Sequence, residues 1–307
     1  MRVNIKNILC ATDFSDLSDQ AVLYGIALAR VFGAKFYLCH VIDLTSSAIY
    51  GESILNFDSQ LNRVRNYAHA HLKQLIGDLD VEWEPLITIG HAAEEIAHIA
   101  EEKDVDMVIS ATHSRKGLKR FFLGSVTQRL MRTVPCPLLI VRSTEPEFMV
   151  SRDRELKIRK ILVGCDFSPD SGLAVQYALS LAQEFQSELH LVHVIEPEKY
   201  KNLLKPATDA GKRANEDLRD QLSDKLNNII PEEAYHWCSP KTALLAGEPQ
   251  EELTKYAVVQ KMDLMVLGLR GHNLMESLFI GSTTVRVSYQ VPCPVLSVRP
   301  TEEGERE

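Results

Sequence analysis

Lys6-Asn7-Ile8-Leu9-Cys10-Ala11-Thr12-Asp13-Phe14-Ser15 runs four apolar residues into an acid, an aromatic and a serine, and Arg159-Lys160-Ile161-Leu162-Val163-Gly164-Cys165-Asp166-Phe167-Ser168 says it again. A short apolar run closing on Asp and Ser reads as a buried strand that hands over to a helix. A second phrase also returns: Val134-Pro135-Cys136-Pro137-Leu138 as Val291-Pro292-Cys293-Pro294-Val295. Asp13 and Asp166 lie 153 residues apart, and Cys136 and Cys293 lie 157 apart, so the copies keep register with about four residues of net insertion. The chain is a duplicated domain. Positions shared by both copies belong to the scaffold, and differences mark where one copy kept or lost a site.

Outward from these anchors, each copy alternates short apolar runs with stretches of helical period. The runs fall at 8–11, 36–42, 86–89, 107–111 and 138–141, then at 161–163, 189–195, 242–246, 264–267 and 295–298. Continuous apolar strands separated by amphipathic helices predict an α/β fold, a parallel sheet covered on both faces in each copy. Ala174, Tyr177, Ala178, Leu181, Ala182 and Phe185 recur at helical spacing after Ser168-Pro169, a cap followed by proline at the first helical position. Longer polar helices are predicted over 58–76 and 209–229. The polar segment 144–157, which contains Pro146, separates the repeats. The expected domains are therefore 1–147 and 158–307, with a linker at 148–157.

At 307 residues the chain has room for two domains of about 150 residues, each large enough to bury its own core. The composition, 45% hydrophobic and 25% charged, is that of a soluble globular protein, and a net charge of −8 argues against nucleic acid or an acidic membrane as partner. No apolar run approaches the roughly 18–20 residues that cross a bilayer. The start runs straight into a strand pattern, leaving no signal peptide, so a cytoplasmic protein is expected. The cysteines Cys10, Cys39, Cys136, Cys165, Cys238 and Cys293 make no CxxC pair and mostly sit in apolar runs, as buried reduced thiols do.

The chemistry gathers in copy two. The run 264–267 ends in Gly268-Leu269-Arg270-Gly271, and nine residues later Gly281-Ser282 opens a helix. Glycines at a strand's carboxyl end admit close backbone approach and positive φ, and the free amides of a helix start attract anions, so this loop suits a phosphate chain. Tight turns alone would also explain the glycines. Asp166, ending the first strand, is placed to accept ribose hydroxyls, and the backbone of Val194, ending the second, to read a base edge. Asp166 as a plain cap and Val194 as plain core are the alternatives. There is no Gly-x-x-x-x-Gly-Lys-Ser/Thr loop; Gly211-Lys212 sits in a polar helical stretch without a partner glycine. His113 and His272 lie in or beside the two loops, and His40 and His193 read as packed core histidines.

Taken together, Asp-Phe-Ser after the first strand, His-Val closing the second, the two-and-nine glycine spacing, and Val-Pro-Cys-Pro before a last strand ending in Arg resemble the universal stress protein family, and they do so in both halves. The resemblance implies a tandem pair of five-stranded parallel-sheet domains, doubly wound like the adenine nucleotide alpha hydrolases and related by a pseudo-two-fold axis. It also implies binding of ATP or AMP, with Mg or Mn carried by the phosphates. Asp166 would contact the nucleoside, the backbone of Val194 the adenine, Gly268 the ribose region, and Gly271, Gly281 and Ser282 the phosphates. It further implies that the last strands, 138–141 and 295–298, pair within the chain, with a homodimer as a further assembly.

Copy one keeps Asp13, Val41, Gly124 and Ser125, but reads Ala111-Thr112-His113-Ser114 where copy two has Gly268-Leu269-Arg270-Gly271. Extra Cβ atoms at Ala111 and Ser114, and strain at Ser114 if its φ is positive, would weaken that site. Arg115, Lys116, Lys119 and Arg120 offer it another means of holding an anion, or form a solvated basic loop. The expectation is a cytoplasmic stress-response regulator that binds adenine nucleotide in copy two. An interaction protein with vestigial sites and a slow ATPase are the alternatives, and no catalytic constellation speaks for the latter.

Overall fold

The structure is a computed structural model, and it describes residues 3–43, 57–77, 81–112, 124–142, 156–196, 209–271 and 280–300. Of the expected linker, only Leu156 and Lys157 fall within those ranges. His113, Ser114, Arg115, Lys116, Lys119, Arg120, His272 and the acidic end 301–307 lie outside them. The chain divides into two compact units, one per repeat. Leu156 belongs with the first, and Val3 with the second, where its amide donates to Ser180 Oγ at 2.9 Å.

The first unit contains β1 (Asn7–Ala11), α1 (Asp16–Phe32), β2 (Lys35–Ile42), α2 (Phe57–Ile76), β3 (Trp83–Ile89), α3 (Ala92–Glu102), β4 (Met107–Thr112), α4 (Ser125–Thr133) and β5 (Leu138–Arg142). Its strands are all parallel in the order β3-β2-β1-β4-β5. The second unit repeats the plan with β6 (Lys160–Gly164), α5 (Pro169–Phe185), β7 (Glu188–Ile195), α6 (Asp209–Asn227), β8 (Ser239–Ala246), α7 (Pro249–Gln260), β9 (Leu264–Gly268), α8 (Ser282–Gln290) and β10 (Val295–Val298), plus a short 3-10 turn at Glu232–His236. Its order is β8-β7-β6-β9-β10, again all parallel. Each sheet is therefore doubly wound, with the strand order reversing between its first and fourth strands. Every predicted apolar run is a strand.

Local chemistry explains the joints. Ser15 and Ser168 cap α1 and α5, accepting the amides of Ser18 and Ser171, and Pro169 takes the first helical position. Gly33 ends α1 at φ 62°, where a side chain would be strained. In the second unit Leu253 and Ala257 of α7 and Val287 of α8 pack on Leu162, Val192, Met265 and Val295, closing the core against β6, β7, β9 and β10. All six cysteines are free thiols, and five are buried. Among the described residues no helix is long and apolar enough to cross a membrane.

One pair reverses its charges between the repeats. At the start of β2, Lys35 Nζ meets Glu84 of β3 at 2.7 Å; at the start of β7, Glu188 meets Lys241 Nζ of β8 at 2.7 Å. Sites 35 and 84 of the first unit correspond to 188 and 241 of the second. In the second unit Glu188 also bonds the buried His190, whose other ring nitrogen meets Tyr256 Oη at 2.9 Å.

Candidate functional site

A doubly wound sheet opens a crevice where its strand order reverses, because the connections on either side leave in opposite directions. In the second unit that point lies between the carboxyl ends of β6 and β9, and a cleft of about 470 Å³ opens there. Asp166, Val194, Gly268, Gly271, Gly281 and Ser282 all line it, although they come from the ends of three strands and the start of one helix.

Asp166 follows β6 in a turn that both units share. Its Oδ1 accepts the Ser168 amide at 3.0 Å and the Ser168 hydroxyl at 2.5 Å, so the cap reading of Asp166 holds for one oxygen. The other, Oδ2, looks toward Gly271: a Cβ there would stand 3.0 Å from it. The intervening Phe167 takes φ 64°, a left-handed conformation that costs a bulky residue about 1 kcal/mol or more. Packing offsets that cost. The ring lies 4.6 Å from His193, and Lys225 Nζ of α6 sits 4.1 Å over its centre. Phe14 repeats the conformation at φ 62° and stacks on His40 at 4.1 Å.

His193 is buried, and its Nδ1 donates to the Cys165 carbonyl at 2.7 Å; His40 does the same to Thr12 at 2.9 Å. Burial lowers both pKa values, which favours the neutral rings, each with Nδ1 committed to a backbone carbonyl. Cys165 also lines the cleft, but burial raises its pKa and leaves it a thiol, a poor nucleophile.

The far wall is the start of α8. Its cap residue is Gly281, and no side chain caps it, in contrast to Ser168 on α5. Gly281 N donates to Leu269 O at 2.8 Å and Thr284 Oγ1 to Gly268 O at 2.7 Å, which ties the loop after β9 to the helix. The first amides of α8 thus face a cleft with no side-chain acceptor of their own, the arrangement that binds anions.

None of Gly268, Gly271 and Gly281 has φ in the left-handed region. A Cβ on Gly268 would meet the backbone of α5, 2.7 Å from Asp170 C and 2.8 Å from Ser171 N, and not the space of the cleft. In the first unit Ala111 lines the equivalent cleft, and Ser114 lies outside the described residues. Gly271 and Gly281 do border the cleft, and a side chain at 271 would press on Asp166.

Several lining residues were not among the expected site residues. Arg270 donates through its backbone amide to Asp170 Oδ2 at 3.0 Å, and its guanidinium meets the same carboxylate at 3.2 and 3.3 Å. Asp170 is buried at the start of α5, so this pair pins the loop after β9 to that helix. Leu17 holds the corresponding place in the first unit. Arg286 of α8, Gln250 of α7, Glu196 and Glu248 also line the cleft. Sequence reasoning missed them. The one available signal was the pairing of copies, which sets Gln250 against Ala93 and Asp170 against Leu17.

In the first unit Asp13, Val41, Ala111, Gly124 and Ser125 line a smaller cleft of about 300 Å³ at the equivalent place between β1 and β4; Ser114 is outside the described residues. Asp13 Oδ1 accepts the Ser15 amide and hydroxyl at 3.0 and 2.6 Å, and Gly124 N donates to Thr112 Oγ1 at 3.1 Å.

The universal stress protein family model matches residues 4–142 and again 157–299, one match per unit. The chain belongs to the universal stress protein family. Universal stress protein Slr1230 of Synechocystis is 23% identical over 319 residues, covering 96% of this chain and all of that one. Universal stress protein MJ0531 of Methanocaldococcus jannaschii is 30% identical over 144 residues, 46% of this chain and 85% of its own. The crystal structure of a universal stress protein from Archaeoglobus fulgidus superposes with a TM-score of 0.69 at 20% identity, covering 95% of this chain and 98% of that one, so this member has the fold of a tandem universal stress protein.

Proposed function

We propose that this universal stress protein binds an adenine nucleotide, ATP or AMP, in the cleft of its second unit, and serves as a regulator in a stress response. The observation that carries the reading is the uncapped start of α8, aimed into a cleft that opens where the sheet reverses. A phosphate group there would pack against Gly281, accept the amide of Ser282 and gain from the helix dipole. Asp166 Oδ2 would accept a ribose hydroxyl, the backbone of Val194 would take the base edge, and the backbone at Gly268 and Gly271 would flank sugar and phosphates. A volume of about 470 Å³ suits a ligand of nucleotide size. A divalent cation would ride on the phosphates, since among the described residues no three His, Cys, Asp or Glu side chains group to hold one.

The cleft supplies binding groups and neutral props, which suit retention of a nucleotide and a response to its arrival. The first unit, with its smaller cleft, is the weaker site in this reading.

Titration calorimetry of the full chain tests it. Aspartate at 281 would itself cap α8, so the fold is kept while a carboxylate takes the place of phosphate. Gly281→Asp should abolish ATP and AMP binding, and Gly124→Asp should leave it within about twofold. A parent chain giving no heat with either nucleotide at millimolar concentration would refute the proposal, and equal losses in both variants would refute its assignment to the second unit.

A further inference from the structure

The two units keep the same Arg and Glu at the same places on their last two helices and use them differently. In the first, Arg129 of α4 closes on Glu94 of α3 at 2.5 Å. The corresponding pair in the second is Arg286 of α8 and Glu251 of α7, and Arg286 makes no ion pair with a described residue; it lines the cleft instead. Arg286 lies four residues past Ser282, one turn further along the same face of α8, so it stands beside the amides that begin the helix.

Charge gives this position its meaning. The described lining of the cleft includes three carboxylates, Asp166, Glu196 and Glu248, and two cations, Arg270 and Arg286. Arg270 is engaged by Asp170 through backbone and guanidinium. A chain of phosphates entering this cleft meets more carboxylates than cations among the described lining, and Arg286 is the arginine there placed to offset that repulsion. A guanidinium presents a planar fork of donors that matches phosphate oxygens, and its attraction grows with each phosphate.

We propose that Arg286 is the specificity-determining residue of the cleft, reading the distal phosphates and so favouring a nucleoside di- or triphosphate over the monophosphate. The inference rests on the nucleotide reading of the cleft and adds to it the class of ligand preferred. It also explains the difference between the units, because Arg129, held by Glu94, is withdrawn from that task.

The test is calorimetry of the full chain with ATP and AMP, at low and at moderate salt, on the parent and on Arg286→Gln, Arg286→Lys and Arg129→Gln. Arg286→Gln should weaken ATP about tenfold and AMP less than twofold, and should flatten the salt dependence of ATP binding. Arg286→Lys should restore part of the preference, and Arg129→Gln should change neither ligand by more than twofold. Unchanged melting temperatures would show that the exposed substitutions leave the fold intact. ATP and AMP falling together, or ATP unaffected by Arg286→Gln, would overturn this inference and leave nucleotide binding standing. A parent that binds neither nucleotide would overturn both.

Discussion

His193 and His40 show how one residue can tie the site to pH. Each ring is held neutral by burial, with Nδ1 committed to the carbonyl at the end of the neighbouring strand. An unfolded chain would protonate both near the ordinary value of about 6.5, while the folded chain resists until lower pH. Between those values the unfolded state binds more protons, so stability is complete above about pH 6.5 and declines as pH falls toward the folded values. The melting temperature should therefore drop on acidification from pH 7.5 to 5.5, and the His193 ring signals in NMR should titrate with a midpoint below 6.5. A midpoint at or above that value would contradict the account. Protonation would also loosen the seat of Phe167, whose strained turn orients Asp166.

At the scale of elements, the joint between β9 and α5 decides how the cleft is walled. Gly268 lies so close to the start of α5 that an added methyl group must push the helix. Gly268→Ala should destabilise the chain by about 1–3 kcal/mol in urea unfolding, the usual cost of overpacking. Unchanged stability with lost ATP affinity would mean that the glycine serves the ligand directly. This joint also marks the border of what sequence could tell. The strands, caps and glycine spacing were legible because each is a local pattern: Ile161 to Val163 is apolar throughout, and Ser168-Pro169 announces its helix. The reason for Gly268 was not, since it lies in a helix start about 100 residues earlier. The same holds for Arg270 on Asp170 and Arg129 on Glu94, pairs made by folding across 100 and 35 residues. The difference between copies was visible as Ala111 against Gly268, but the contact a Cβ at 268 would make with α5 was not, because no register of residues reveals which way a Cβ points.

For the whole molecule, the two units should answer a nucleotide separately. Ligand at a hundred times its dissociation constant stabilises the binding unit by about 2.7 kcal/mol. Hydrogen exchange with saturating ATP should slow at α5, β9 and α8 and leave α1, β4 and α4 as they were; uniform protection of both units would contradict an unequal pair of sites. Tandem repeats also face a hazard while folding, since a strand can join the wrong sheet. Here the swapped polarity of Lys35 with Glu84 and Glu188 with Lys241 acts as a proofreading mark. A newly made β2 that strays onto β8 sets lysine against lysine, and β7 on β3 sets glutamate against glutamate. Such a mismatch sets like charges opposite each other across the strand pair and costs stability that the native pairing keeps, so the sign at the margin of each sheet favours the right partner.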